Sequence, residues 1–576
     1  MLLLLVVKYL IATEVQIQTR LGKVTGVSST VLGQQVNVFR GIPYAKPPIG
    51  DLRLAKPQPY GSFLSSELNA TEFGEVCAQA QYTLKGGEDC LFLNIYSPQT
   101  NGLKNVMIWI HGGGLSTGES NTYNGGRLAA VENVVVVTIN YRLNLFGFLT
   151  TGESELPGNY GFWDQRLAIQ WVKENIDDYG GQGSAITIFG ESAGGRSVGF
   201  QMMSPQNNRD LFQRAITESG SSLSLTYINR NPMTITEQVA KNLSCDAKKS
   251  DFLHCLRSKT TKELQIASSC VDRPFSFFAV VDNDFIPYDL GSALSNFTMD
   301  NSFVTRTEAF GNFGKYDVFS GWNDQDGLLY MGSLQSVSLQ MTGANISKGI
   351  SIEVLTEALK QWPFVNYPND QGMKDFVVNT FIDFYMNTPE ALASDKRSIE
   401  DRRVEVYSRV SGDVSLKIPN VQHLQVHRAA NLEGVAYAYE FIHKRSNNPT
   451  PWYEGPDWLR YGADHTDEMP YVFGEPLITN DQSFTPEEKN LSKNMMRMWA
   501  NFAKYGNPGP EFSKFTYPKN QAYTILNTGG FVQKNYPLND VQRLWSSVDN
   551  TILQQQGSVT PSDSPSFCLS DPKSCQ

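Results

Sequence analysis

Ser192 lies in Gly190-Glu-Ser-Ala-Gly194, a G-x-S-x-G arrangement. Ahead of it, Ala185-Ile-Thr-Ile-Phe189 is an apolar, β-branched run that reads as a buried strand, and 195–204 can continue as a helix. A strand, a sharp turn and a helix lift one hydroxyl clear of a sheet, at a helix N-terminus whose dipole favours negative charge. Glycine on both sides fits a strained turn in which a Cβ would clash. This is the setting of a serine that attacks a carbonyl. Short motifs recur by chance, and the chain contains a second match, Gly114-Leu-Ser-Thr-Gly118. Residues 119–126 after it are turn chemistry and not helix. Ser116 therefore fails the strand–turn–helix test that Ser192 passes.

An attacked carbonyl becomes a tetrahedral oxyanion and needs backbone N–H donors. His111-Gly-Gly-Gly114 directly follows the apolar run 106–110 and matches a donor-bearing glycine loop. Gly113, Gly114 and Ala193, the residue after the serine, are the candidate donors; His111 reads as an organiser of the loop. A base and an acid are expected in the order Ser, Asp or Glu, His. Of six histidines, His423, His427, His443 and His465 lie in the C-terminal half. His423 and His427 are spaced i, i+4 as a metal pair could be. Without the glutamate of H-E-x-x-H they read as helix surface, and no metal site is expected. His443 sits beside Lys444 and Arg445, whose charge disfavours an imidazolium. His465 lies in Tyr461-Gly-Ala-Asp-His-Thr-Asp-Glu468, a loop rich in carboxylates that favour one. For the acid, Asp324 and Asp326 both qualify on chemistry.

These groups need a scaffold, and the chain supplies strand–helix alternation. The runs 106–110 and 134–139 are continuous and apolar, as in central strands covered on both faces. A helix is expected over 161–176 and further strands at 214–217, 316–320 and 434–441. Residues 16–60 alternate as a small antiparallel meander. The pattern is that of an α/β protein with a large, mostly parallel twisted sheet flanked by helices, its functional residues at the strands' C-terminal ends. Thr485-Pro-Glu-Glu488 is a capping box that opens a helix carrying Leu491, Met495, Met498, Trp499 and Phe502, ending at Gly506. That stripe reads as core. Residues 1–15 read as a signal peptide, 16–550 as one catalytic domain, and 551–576, rich in Ser, Pro and Gln, as a flexible tail.

The 576-residue chain has a formal net charge of −10, which argues against nucleic acid and anionic membrane surfaces as partners. The apolar start, 1–12, is too short to span a bilayer. It agrees with secretion, as do N-x-S/T acceptors at Asn69, Asn242, Asn296, Asn345 and Asn490. Among seven cysteines, Cys77 and Cys90 bracket one short loop and Cys245 and Cys255 another. Cys270, Cys568 and Cys575 remain. An odd number leaves one over: Cys575 is a candidate for linking two copies as a homodimer, and a local Cys568–Cys575 bridge that leaves Cys270 free is an equal alternative.

Several blocks together carry a resemblance. Phe39-Arg-Gly-Ile-Pro-Tyr-Ala45, Glu88-Asp-Cys-Leu-Phe-Leu-Asn-Ile-Tyr96, Trp109-Ile-His-Gly-Gly-Gly114, Asn140-Tyr-Arg-Leu143, Gly158-Asn-Tyr-Gly161, Phe189-Gly-Glu-Ser-Ala-Gly-Gly195, Glu218-Ser-Gly-Ser221 and Asn501-Phe-Ala-Lys-Tyr-Gly-Asn-Pro508 occur in order. The chain resembles the type-B carboxylesterase/lipase family, the cholinesterase-like α/β-hydrolases. The resemblance implies an α/β-hydrolase fold and a Ser192–His465–Asp326 triad. The family's N-x-x-E/D-G pattern falls on Asp326, and its H-x-x-E/D pattern before V-F-G falls on His465 with Glu468. It further implies disulfides Cys77–Cys90 and Cys245–Cys255, a buried Arg40–Glu88 ion pair, and an acyl-enzyme route with no cofactor. The family's third disulfide has no counterpart, since no cysteine lies between 271 and 567. Cholinesterases carry a choline-binding Trp in the first disulfide loop, which suits a quaternary ammonium; the loop 77–90 has none, and it carries Lys85. Phe275-Ser-Phe-Phe278 falls near the family's acyl-pocket segment. The expectation is a serine hydrolase of apolar carboxylic or lipid esters. The competing class is a catalytically inactive adhesion protein, but such relatives have generally lost triad residues, which this chain keeps.

Overall fold

The structure is a computed structural model that describes residues 13–536 and Leu544, apart from 64–66, 81–83, 225–226, 272–276, 288–311, 362–370, 388–396, 430–432, 447–452, 454 and 479–482. Thirteen strands of the described residues form one sheet: β1 (Thr13–Thr19), β2 (Gly22–Val31), β3 (Gln34–Pro43), β4 (Leu68–Asn69), β5 (Phe92–Pro98), β6 (Lys104–Ile110), β7 (Val135–Ile139), β8 (Gly181–Glu191), β9 (Arg214–Glu218), β10 (Asp317–Asn323), β11 (Ala436–Phe441), β12 (Ala522–Asn527) and β13 (Gly530–Asn535). Their order is β1-β2-β3-β5-β7-β6-β8-β9-β10-β11-β12-β13, with β4 beside β2. The centre, from β7 to β12, is parallel. Both ends are antiparallel, the first as the expected meander. The hairpin β12–β13 has no counterpart in the sequence reading.

Central strands are hydrophobic without alternation because helices cover both faces. One face buries Ile108, Ile110, Val135, Val137, Ile186 and Ile188 against Phe162, Ile169 and Val172 of the helix Tyr160–Asn175. The other buries Met107, Trp109, Phe189, Phe319 and Tyr439 under Met495, Met498, Trp499 and Phe502. Those four belong to the helix Pro486–Tyr505, which opens on the Thr485–Glu488 capping box and closes on Gly506 at φ 69°. A third apolar cluster, around Leu334, Leu355, Phe381 and Tyr407, holds the helical region after β10 together.

Both expected disulfides are present, Cys77–Cys90 and Cys245–Cys255. The partner of Glu88 differs from the expectation. Arg53, not Arg40, meets it in a two-pronged pair, with Nε and Nη2 at 2.7 and 2.6 Å from its two oxygens. Arg53 Nη1 also donates to the carbonyls of Leu256, Arg257 and Lys259, which end the helix Phe252–Ser258 and attract a cation. Arg40 instead donates to the Thr71 carbonyl and lies over the Phe73 ring. His423 and His427 are also corrected. Both are fully buried in the helix Ile418–Ala429, not on its surface, and burial pushes them down to about 3 and about 4. His423 packs on Phe313, and His427 Nε2 lies 2.7 Å from the Tyr316 carbonyl.

Asn69, Asn242, Asn345 and Asn490 are exposed, whereas Asn296 lies outside the described residues. So do 1–12, Cys568 and Cys575. Among the described residues no helix is long and apolar enough to cross a membrane.

Candidate active site

The parallel strands deliver their loops to one edge of the sheet, where open α/β sheets build sites. From β8 the chain turns at Ser192, with φ 57° and ψ −121°, straight into the helix Ala193–Met203. The turn is locked by close approaches. A Cβ on Gly194 would collide with the Ile110 carbonyl oxygen, and one on Gly190 would lie 2.7 Å from Gly194 C. The Ser192 N–H donates to the Glu218 carbonyl at 2.9 Å, tying the elbow to the end of β9.

The loop after β6 lies against this elbow. A Cβ on Gly112 would sit 3.1 Å from Ser192 Cβ. Gly113 and Gly114 have φ of 102° and 63°, open to glycine and costly for other residues. The Gly113 carbonyl accepts the N–H groups of Ser116 and Thr117, so Ser116 belongs to the turn that shapes this loop. His111 organises it from beneath. Its ring stacks on Tyr141 at 4.5 Å, and Nδ1 lies 2.9 Å from the Gly112 carbonyl. Burial pushes this imidazole down to about 4. Among the described residues, the Gly113 and Gly114 N–H groups have no backbone acceptor. Ala193, first in its helix, has no intrahelical one.

Asp326 follows β10, and its Oδ1 lies 2.8 Å from His465 Nδ1. Its Oδ2 accepts the Asn323 N–H at 2.9 Å, which fixes the carboxylate. Asp324 does a different job: its Oδ1 accepts the Ala463 N–H at 2.7 Å and so holds the histidine loop. Asn323 and Gln325 stitch the same loop, through the Asp464 carbonyl and the Leu459 carbonyl. Burial pushes Asp324 up to about 7. His443, the rejected alternative, is engaged elsewhere, with Nε2 at 3.0 Å from Glu488 in the capping box.

On its other side, His465 Nε2 lies 3.0 Å from Glu191 Oε1, and no hydrogen bond joins it to Ser192 Oγ. Such contacts often tighten only with substrate bound. Glu191, Glu218 and Glu468 form a buried acidic group, of which Glu191 meets this imidazole. Burial first, then the charges of Asp326 and Glu218, push Glu191 well above the ordinary carboxyl range; Arg196 opposes them. Burial raises Glu218 to about 8 against a 2.9 Å hydrogen bond from Trp499 Nε1. Burial and its acidic neighbours also raise Glu468, whose Oε2 accepts from Asn323 Nδ2 at 2.5 Å. In the sequence Glu191 and Glu218 stand out only as letters of the family motifs. The available signal was position: one adjoins the serine, and the other ends a buried strand.

Comparison with known proteins identifies the family. The carboxylesterase family model matches residues 13–544. Liver carboxylesterase 1 of Oryctolagus cuniculus is 35% identical over 528 residues, covering 85% of this chain and 85% of that protein. Carboxylesterase 5A of Mus musculus is 35% identical over 540 residues, covering 88% and 85%. Bile salt-activated lipase of Homo sapiens is 35% identical over 548 residues, covering 89% of this chain and 65% of that protein. An α/β-hydrolase sheet, a strained serine elbow and a match along nearly the whole chain agree, and the protein belongs to the carboxylesterase family of carboxylic-ester hydrolases.

Proposed function

We propose that Ser192, His465 and Asp326 form the catalytic triad of this esterase. The observation that carries the reading is the 2.8 Å contact from His465 Nδ1 to Asp326 Oδ1, buried beside the Ser192 elbow. Asp326 keeps the proton on Nδ1 and leaves the Nε2 lone pair to take the serine proton. Ser192 Oγ attacks the ester carbonyl while Gly113, Gly114 and Ala193 N–H groups hold the oxyanion. Imidazolium returns its proton to the departing alcohol. Water, deprotonated by the same imidazole, then releases the acid from the acyl-enzyme.

The substrates are apolar carboxylic or lipid esters, with choline esters disfavoured. In the first disulfide loop, Lys85 pairs with Glu119 at 2.8 Å, a cation where a quaternary ammonium would need an aromatic face. Phe278 sits edge-on to Tyr227, and one relative is named a lipase. The protein acts outside the cell as one catalytic unit over 16–550, with glycans on exposed sequons and a tail able to link copies through Cys575.

Turnover of short-chain nitrophenyl esters by the wild-type chain and by Ser192→Ala tests the mechanism. Loss of at least about 10³-fold is expected, since removing a triad member leaves only the oxyanion hole and binding. Undiminished turnover would rule out Ser192 as nucleophile. Preference for acetylthiocholine over a butyrate ester would overturn the substrate reading.

A further inference from the structure

Four arginines are buried among the described residues: Arg53, Arg142, Arg196 and Arg460. Arg53 forks onto Glu88, Arg142 onto Asp164, and Arg460 reaches Asp467. Arg196 has no such carboxylate. It stands one helical turn past the nucleophile, its N–H donating to the Ser192 carbonyl at 3.0 Å, and it is 3% exposed. Its guanidinium lies 3.5 Å from the centre of the Tyr227 ring, a cation–π contact. Nε is sealed from solvent with no hydrogen-bond partner. Nη1 and Nη2 have no protein acceptor among the described residues.

The residues around the guanidinium come from both halves of the site. Tyr227 OH lies 3.0 Å from the hydroxyl of Tyr330, which ends the turn Asp326–Tyr330 begun by the triad aspartate. Phe278 meets Tyr227 edge-on at 5.0 Å. Tyr227, Phe278 and Tyr330 are each only half-buried. The result is a cluster of three aromatic rings beside the Ser192 elbow, with a guanidinium fork against it. Removing a cation from water without a counter-ion is costly, and a guanidinium fork fits a carboxylate with two parallel hydrogen bonds. Burial raises Glu191 against the opposing Arg196 charge, and no ion pair joins the two among the described residues.

We propose that Arg196 binds a carboxylate carried by the ester substrate, so that the enzyme acts on esters combining an apolar body with one anionic group. This rests on the ester-hydrolase mechanism given above and refines its substrate class. The carboxylate can belong to the acyl part, as in a hemiester of a dicarboxylic acid, or to the alcohol part.

Two pairs of probes separate those cases. 4-Nitrophenyl hydrogen glutarate against 4-nitrophenyl pentanoate tests the acyl side, and 4-acetoxybenzoate against phenyl acetate tests the alcohol side. The readout is the ratio of kcat/KM, anionic over neutral, in each pair. In the wild-type chain one ratio exceeds unity. In Arg196→Gln that ratio falls by about ten- to a hundredfold, as expected on losing a charge-assisted hydrogen-bond pair, and Arg196→Lys falls less. Three outcomes overturn the proposal. Wild-type preference for the neutral ester in both pairs does so whether or not the variants fold. An unchanged ratio in Arg196→Gln does so directly. An equal loss on both members of a pair, with the acid limb of the pH profile displaced, would assign Arg196 to Glu191 instead. Absence of Ser192-dependent turnover on all four esters would overturn the triad mechanism itself.

Discussion

In the proposed triad Asp326, 2.8 Å from His465 Nδ1, sets which nitrogen carries a proton, so its charge matters more than its bulk. Asp326→Asn would present an N–H or a weaker acceptor to Nδ1 and favour the wrong tautomer. A fall in kcat of about 10³–10⁴ is expected with little change in thermal stability, checked by nitrophenyl ester kinetics beside melting curves. Glu218 makes the complementary prediction. Its folded value of about 8 lies above that of an unfolded glutamate, so its contribution is fully present below about pH 4 and is lost as pH rises through about 8. Glu191 and Glu468 shift in the same direction. Tm should therefore fall between about pH 4 and 8, the span set by Glu218, and Glu218→Gln should flatten that fall. A fall as steep in the variant would contradict it. The proposed serine, histidine and glycine loop stand out in the sequence because motif and neighbouring charge point to them. Residue types alone left Asp324 and Asp326 level; geometry separates them, since one binds the loop's backbone and the other reaches the ring. Arg53 was illegible for a related reason. Its partners include the end of a helix some two hundred positions away, which no local pattern encodes.

At the scale of elements, the elbow works because a strand and a helix meet closer than side chains allow. Gly194→Ala places a methyl against the Ile110 carbonyl of the neighbouring strand. Neither backbone can yield without opening the sheet, so a destabilisation of about 3 kcal/mol or more is expected, with loss of activity in whatever folds. Denaturant unfolding with parallel activity measurements checks it. The central strands were read correctly because burial on both faces leaves unbroken β-branched runs. The hairpin β12–β13 escaped notice because β13 is largely exposed and polar, Gly-Phe-Val-Gln-Lys-Asn, with little alternation. His423 and His427 were misplaced because a helix packed under the sheet buries polar positions that an isolated amphipathic helix would expose.

Across the whole molecule, the site is a meeting of distant segments: glycine loop, elbow, β9, the turn after β10, the histidine loop and the helix Pro486–Tyr505. The interdependence shows in Arg53, which ties the first disulfide loop to the segment 252–259. Arg53→Met leaves Glu88 a buried carboxylate without its counter-charge, with the Thr261 hydroxyl its remaining side-chain partner among the described residues. A loss of about 3–5 kcal/mol is expected, and the double variant with Glu88→Gln should recover part of it. Chemical unfolding of both variants decides this.

The hydrogen bond from Trp499 to Glu218 has one more consequence. An indole N–H that donates to a carboxyl senses whether that carboxyl is ionised, so this chain carries its own optical titration probe. Between about pH 7 and 9, where Glu218 changes charge, the near-ultraviolet absorption and emission of Trp499 should move to longer wavelength. The difference spectrum between the wild-type chain and Trp499→Phe would isolate that signal from the other eight tryptophans. Ionisation inside the active site can then be followed by light alone, without substrate.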